Sequence, residues 1–171
     1  FGDRLSAAKE MVQGGPIDVL TGDYLAELTM ALLFQKKLKS PEGGYVPTFL
    51  KQMEAVMGEC LQKGIRVVAN AGGLNPAAMA RALKAAAQTL GLAPRIAYIE
   101  GDDLMPRLAE LQQAGESFTH MDKGIRLADS GAVPITANAY LAAWGIAAAL
   151  EQGADIVVCG RVADAALVAG P

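Results

Sequence analysis

The sequence predicts an α/β fold in which helices flank a mainly parallel, doubly wound sheet, and three observations predict it. Short β-branched apolar runs alternate along the chain with helical patterns, the signature of βα units. The apolar mass is mostly Ala, Leu, Val and Ile, with aromatic residues only 5% of the chain, which suits helices layered on a parallel sheet better than an aromatic-rich sandwich. Glycines also recur where the helical patterns end. A β/α barrel-like arrangement shares this signature and stays open as the alternative.

The strands are expected at Ile17 to Leu20, Ile65 to Ala69, Ile96 to Ile99, Val133 to Ala137 and Ile156 to Cys159. Helices are expected between them at Asp3 to Gln13, Tyr24 to Leu38, Val46 to Lys63, Pro76 to Leu90, Met105 to Ala114 and Ala139 to Gln152. Gly14-Gly15, Gly64, Gly91, Gly115 and Gly153 fall at helix C-caps, because glycine adopts the left-handed conformation cheaply. The stretch from Glu116 to Ala132 lacks periodicity and reads as a long loop or short β-excursion, a kind of segment that often carries function.

With 171 residues, 52% of them apolar and 19% charged, the chain can bury the core of one α/β domain spanning 1–171. It opens on Phe1-Gly2-Asp3-Arg4 directly before a helix and stops at Gly170-Pro171, so it is expected to be the N-terminal portion of a longer protein lacking its first strand. The 15 basic residues are outnumbered by 18 acidic ones and form no run, which argues against nucleic acid as a partner. The most apolar stretch, Ala139 to Leu150, is too short to cross about 30 Å of hydrocarbon, and no secretory signal is visible, so a cytoplasmic protein without a membrane partner is expected. Cys60 and Cys159 are far apart inside apolar patterns and read as buried thiols. His120, the one histidine, has no metal-binding neighbour in sequence.

In open α/β sheets ligands bind beyond the carboxyl ends of the strands. The turn Asn70-Ala71-Gly72-Gly73-Leu74-Asn75 suits an anion, with Gly72 and Gly73 permitting close backbone approach and Asn75 capping the next helix; a capped turn without ligand needs the same residues. Asp23 and Glu27, four apart, are a candidate carboxylate pair for acid/base chemistry or for holding a hard cation, although acids are favoured in any first helical turn. Glu100, Asp102 and Asp103 suggest hydroxyl recognition or a Mg²⁺ site, or in part a helix cap. Arg161 can fork onto a substrate carboxylate or phosphate, or pair with Asp164. Asn138 is a helix cap or a polar contact.

Taken in order, Phe1-Gly2-Asp3-Arg4, Gly22-Asp23-Tyr24-Leu25-Ala26-Glu27, Asn70 to Pro76, Glu100-Gly101-Asp102-Asp103, Asn138-Ala139-Tyr140-Leu141 with Trp144-Gly145, and Gly160-Arg161-Val162-Ala163-Asp164 resemble the acyclic terpene utilisation AtuA family. The resemblance covers the whole chain. It implies a cytoplasmic protein of citronellol and geraniol catabolism, a route through acyl-CoA intermediates. On that basis an enzyme is expected, a lyase or hydro-lyase acting on a branched-chain carboxylic acid or its CoA thioester. Asp23, Glu27 and Asp164 are then the catalytic candidates. Asn70, Gly72, Gly73, Asn75, Asn138, Arg161 and Arg4 bind substrate, and Glu100, Asp102 and Asp103 bind a cation or hydroxyl. Two alternatives stand: a non-catalytic acyl-binding subunit of a larger assembly, and an NAD(P)-dependent oxidoreductase, for which Asp23 would be the ribose-binding acid. A homo-oligomer or a partner subunit is expected; metal requirement and cofactor are open.

Overall fold

The computed structural model describes residues 4–171. Four strands, β1 (Val19–Gly22), β2 (Arg66–Ala69), β3 (Ile96–Ile99) and β4 (Ile156–Cys159), form one sheet in the order β1-β2-β4-β3, all parallel. Leu20 pairs with Val67, Val68 with Val157, and Tyr98 with Val158. The two central strands, Arg-Val-Val-Ala and Ile-Val-Val-Cys, are the most buried of the four: after Arg66 every residue of β2 is buried, and β4 is buried along its whole length. That is the pattern of strands covered on both faces.

The helices are α1 (Ala7–Gly14), α2 (Glu27–Lys39), α3 (Pro47–Lys63), α4 (Pro76–Thr89), α5 (Leu108–Gln113), α6 (Trp144–Glu151) and α7 (Ala166–Ala169). In α3 the proline occupies the first turn, where a missing N–H costs nothing, and Gly64 closes the helix at φ 70°. Its buried residues Phe49, Met53, Val56, Met57 and Cys60 repeat with helical period and meet the sheet.

The core divides between the two faces of the sheet. Val67, Ala69, Ile156 and Val158 point into a cluster with α1, α2, α3 and α4, while Val68, Val157 and Cys159 point into one with α6 and α7. Strand order explains the division. Connections from β1 to β2 and from β2 to β3 run one way across the sheet; the connection from β3 to β4 runs back, and under the right-handed crossover rule its helix lies on the opposite face. The chain is therefore doubly wound.

Several expectations need correction. The sheet is open, with β1 and β3 at its edges, so the barrel alternative fails. Val133 to Ala137 is not a strand: Pro134 lacks a ladder N–H, and Val133 (86%) and Ile135 (48%) stay exposed. The irregular stretch thus runs on to residue 138, with a single 3-10 turn at Leu127–Asp129. The last long helix starts at Trp144, five residues later than expected, and α2 starts at Glu27 instead of Tyr24. β1 lies two residues beyond its expected start. α1 begins at Ala7, and Asp3, expected as its start, lies outside the described residues. A 3-10 turn, Met105–Arg107, replaces the first turn expected for α5. Among the described residues no helix is long and apolar enough to cross a membrane.

Candidate functional site

At the carboxyl ends of β2 and β4 the chain departs toward opposite faces, to α4 and to α7, which opens the crevice where doubly wound sheets bind ligands. Arg161 lies there, just after β4, with 7% of its surface exposed. Its guanidinium donates to the Leu25 carbonyl (2.7 Å) and to the Tyr140 hydroxyl, and its Cζ sits 4.3 Å from the Tyr140 ring centroid. Glu27 lies 3.5 Å from the same guanidinium, and the Tyr140 hydroxyl donates to it at 3.0 Å. Arg161, Tyr140 and Glu27 thus form one chain of hydrogen bonds from a buried cation to an exposed carboxylate. Glu27 is held below the usual carboxylate range by its own backbone N–H at the start of α2, then by the Tyr140 hydroxyl and the Arg161 charge.

Beneath Arg161 is Asp102, 4% exposed. One of its oxygens accepts from the Arg161 N–H (2.8 Å) and from the Asn138 amide (2.9 Å). The carboxylate fits because Gly160 carries no side chain: a Cβ there would lie 2.5 Å from Oδ1. Burial pushes the Asp102 pKa up, against those two hydrogen bonds. An antiparallel bridge between Asp103 and Asn138, and the bond from the Ala139 N–H to the Asp102 carbonyl (2.7 Å), fasten the 135–140 segment across the strand ends.

The remaining sequence-predicted residues divide by what they touch. Asn70, fully buried, accepts from the Tyr24 N–H and donates to Asp23, both at 2.7 Å, and so joins the ends of β1 and β2. Asp23 lies ahead of α2 rather than within it and turns to Asn70, while Glu27 turns to Tyr140, so the two carboxylates have different hydrogen-bond partners. Gly72 and Gly73 are explained by packing. A Cβ on Gly72 would lie 2.5 Å from the Cys159 carbonyl, and one on Gly73, at φ +56°, would lie 2.8 Å from the Gly44 carbonyl. Asn75 caps α4 through Ala78 (3.2 Å) and donates to the Pro41 and Gly43 carbonyls. Within this turn the N–H groups of Gly73, Leu74 and Asn75 all bond to backbone carbonyls, so these three are engaged within the chain.

Asp103 accepts from the Met105 N–H (2.9 Å), a turn cap, and Glu100 is exposed. The acidic cluster is therefore split, and among the described residues no three His, Cys, Asp or Glu side chains gather to hold a metal ion. Asn138 does not cap α6, which begins six residues later; it serves Asp102 instead. Asp164 is exposed, and the hydrogen bonds of Arg161 go elsewhere. Arg4 pairs with Glu10 along α1.

Two residues of the crevice escaped sequence reasoning, Tyr140 and Lys37. Tyr140 stands in a quoted motif but reads as helical there. Lys37 reads as one more cation in the last turn of α2, yet Glu27, Met30, Phe34 and Lys37, three or four residues apart, mark a single face, which was the available signal. Three adjoining cavities share these residues. One of about 230 Å³ lies among Glu27, Met30, Thr136, Asn138, Tyr140 and Arg161. A second, about 200 Å³, reaches Lys37, Glu100, Asp102 and Asp103, and a third, about 270 Å³, has mainly apolar walls. A larger cavity than these, about 490 Å³, lies between α1, β1 and α3 with Asp23 on its wall, and Arg161 is not part of it.

Fold and crevice together define a doubly wound α/β domain with a polar crevice at the point where its strand order reverses. The chain belongs to the acyclic terpene utilisation family AtuA, whose family model matches residues 1–171, and this membership implies a part in acyclic terpene utilisation. No curated protein and no solved structure matches it.

Proposed function

We propose that the protein is an enzyme acting on a branched, acyclic terpene-derived carboxylic acid or its CoA thioester, as a hydro-lyase centred on Glu27 and Tyr140. The observation that carries this reading is the Tyr140 hydroxyl suspended between buried Arg161 and ionised Glu27 on the wall of the crevice. A hydroxyl so placed gives and receives protons without large movement.

The chemistry balances as addition of water across a conjugated carbon–carbon double bond. Glu27 takes a proton from water as its oxygen bonds to the β-carbon, and Tyr140 gives a proton to the α-carbon. The proton on Glu27 then returns to the Tyr140 oxygen along their hydrogen bond. Arg161 stabilises the negative charge that passes through Tyr140, and Asp102 with Asn138 fixes the backbone that carries Arg161.

The test is to incubate the protein with unsaturated acyclic acids and their CoA thioesters and to follow gain of one water by mass. Tyr140→Phe and Glu27→Gln should each lower kcat by about 10² to 10⁴-fold with KM little changed. Ligand binding without turnover in the unaltered protein would instead favour the non-catalytic acyl-binding subunit, and turnover indifferent to both substitutions would place the chemistry elsewhere.

A further inference from the structure

The crevice does not end at Tyr140. Past Thr136 it continues into the cavity of about 270 Å³, whose wall is built by Phe34 and Leu38 from α2, Leu74 from the β2–α4 turn, Met105, and Ile135 from the irregular segment. Apolar side chains from four separate stretches of chain converge there. Leu38 (66%) and Ile135 (48%) leave much of their surface in water, which an apolar ligand would relieve.

Charge decides what kind of head the ligand carries. Among the described residues, Glu27, Glu100, Asp102 and Asp103 line the crevice against Lys37 and Arg161. Arg161 is committed to Leu25, Tyr140 and Glu27, and Lys37 already donates to the Leu74 carbonyl at 2.8 Å. A free carboxylate entering here meets more negative than positive charge. A neutral carbonyl head does not.

We infer that this branch is an acyl channel: it takes the apolar tail of a neutral thioester whose carbonyl lies at Tyr140, and it discriminates against the free acid. The inference rests on the reading of Glu27 and Tyr140 given above and narrows its substrate. From Glu27 to Leu38 the axis of α2 runs about 16 Å, which sets the reach of the tail.

Titration calorimetry of the protein with N-acetylcysteamine thioesters, from butanoyl to dodecanoyl, reads the channel directly and avoids the phosphates of CoA. The dissociation constant should fall about fourfold for each methylene that enters, then level off, and the matching free acids should bind more weakly at every length. Ile135→Glu, on an exposed segment outside the core, should abolish the length dependence while Ile135→Leu keeps it. Thioester binding without a length gradient, a gradient untouched by Ile135→Glu, or equal binding of acid and thioester overturns the channel. The first two leave the Tyr140 reading standing if Tyr140→Phe still suppresses turnover. Absence of all thioester binding overturns both.

Discussion

Asp102 shows how one side chain couples the stability of this fold to its site. Burial raises its pKa, the adjacent charge of Asp103 adds to the rise, and the Arg161 N–H and Asn138 amide oppose it. The folded chain therefore holds this proton more tightly than the unfolded chain, whose Asp titrates near 3.8. Stability from this group is fully present below that value and is lost as pH rises through the raised folded pKa, above which the loss is constant. Asp102→Asn keeps an oxygen able to accept both hydrogen bonds and removes the titration. The difference in urea midpoint between the variant and the parent protein should therefore grow in the variant's favour from about pH 3 upward and then level off. A constant difference across that range would mean that Asp102 titrates alike in both states. None of this was readable from the Glu100-Gly101-Asp102-Asp103 motif, which offers three acids of similar appearance. Which one is buried depends on Gly160, nearly sixty residues away, leaving room for it.

At the scale of elements, sequence signals held where the chemistry was local. Asn75-Pro76 announced the start of α4, and the Asn75 side chain does accept from Ala78. Because its amide also ties Pro41 and Gly43 to the helix, Asn75→Ala removes a cap and two tertiary hydrogen bonds together. It should cost more than a cap alone, about 2–3 kcal/mol in chemical denaturation, and Asn75→Asp, which keeps only the acceptor, should cost less. Equal losses for the two would assign the whole effect to the hydrogen bonds with Pro41 and Gly43, and no loss in Asn75→Asp would assign it to the cap. Local signals failed between 133 and 143. An apolar run there looked like a strand feeding a helix, but Pro134 bars the ladder and residues 139–143 are drawn across the strand ends by Asp102 and by pairing of Leu141 with Val162. That excursion carries Asn138 and Tyr140 into the crevice, so the error in reading the element and the omission of Tyr140 have one cause.

Over the whole molecule, alternating βα patterns were enough to predict a parallel sheet with helices on both faces, because burial on both sides of β2 and β4 is written in their own residues. Strand order was not, since it depends on which way each connection crosses the sheet. That order puts β4 in the interior, and with it Cys159, which has no exposed surface and whose thiol is pushed up to about 12, by burial first and then by the charge of Asp102. A thiol this far from ionised is inert at neutral pH until water reaches it. Reaction of Cys159 with a thiol reagent, followed in a Cys60→Ala background, should therefore report opening of the central sheet. If the two-sided core unfolds as one unit, the reaction rate will rise with urea as steeply as global unfolding does. A shallow dependence would show that the α6–α7 layer, the thinner of the two, lifts away while α3 and α4 hold β2 in place, and that the fold is cooperative only on the face where α3 and α4 lie.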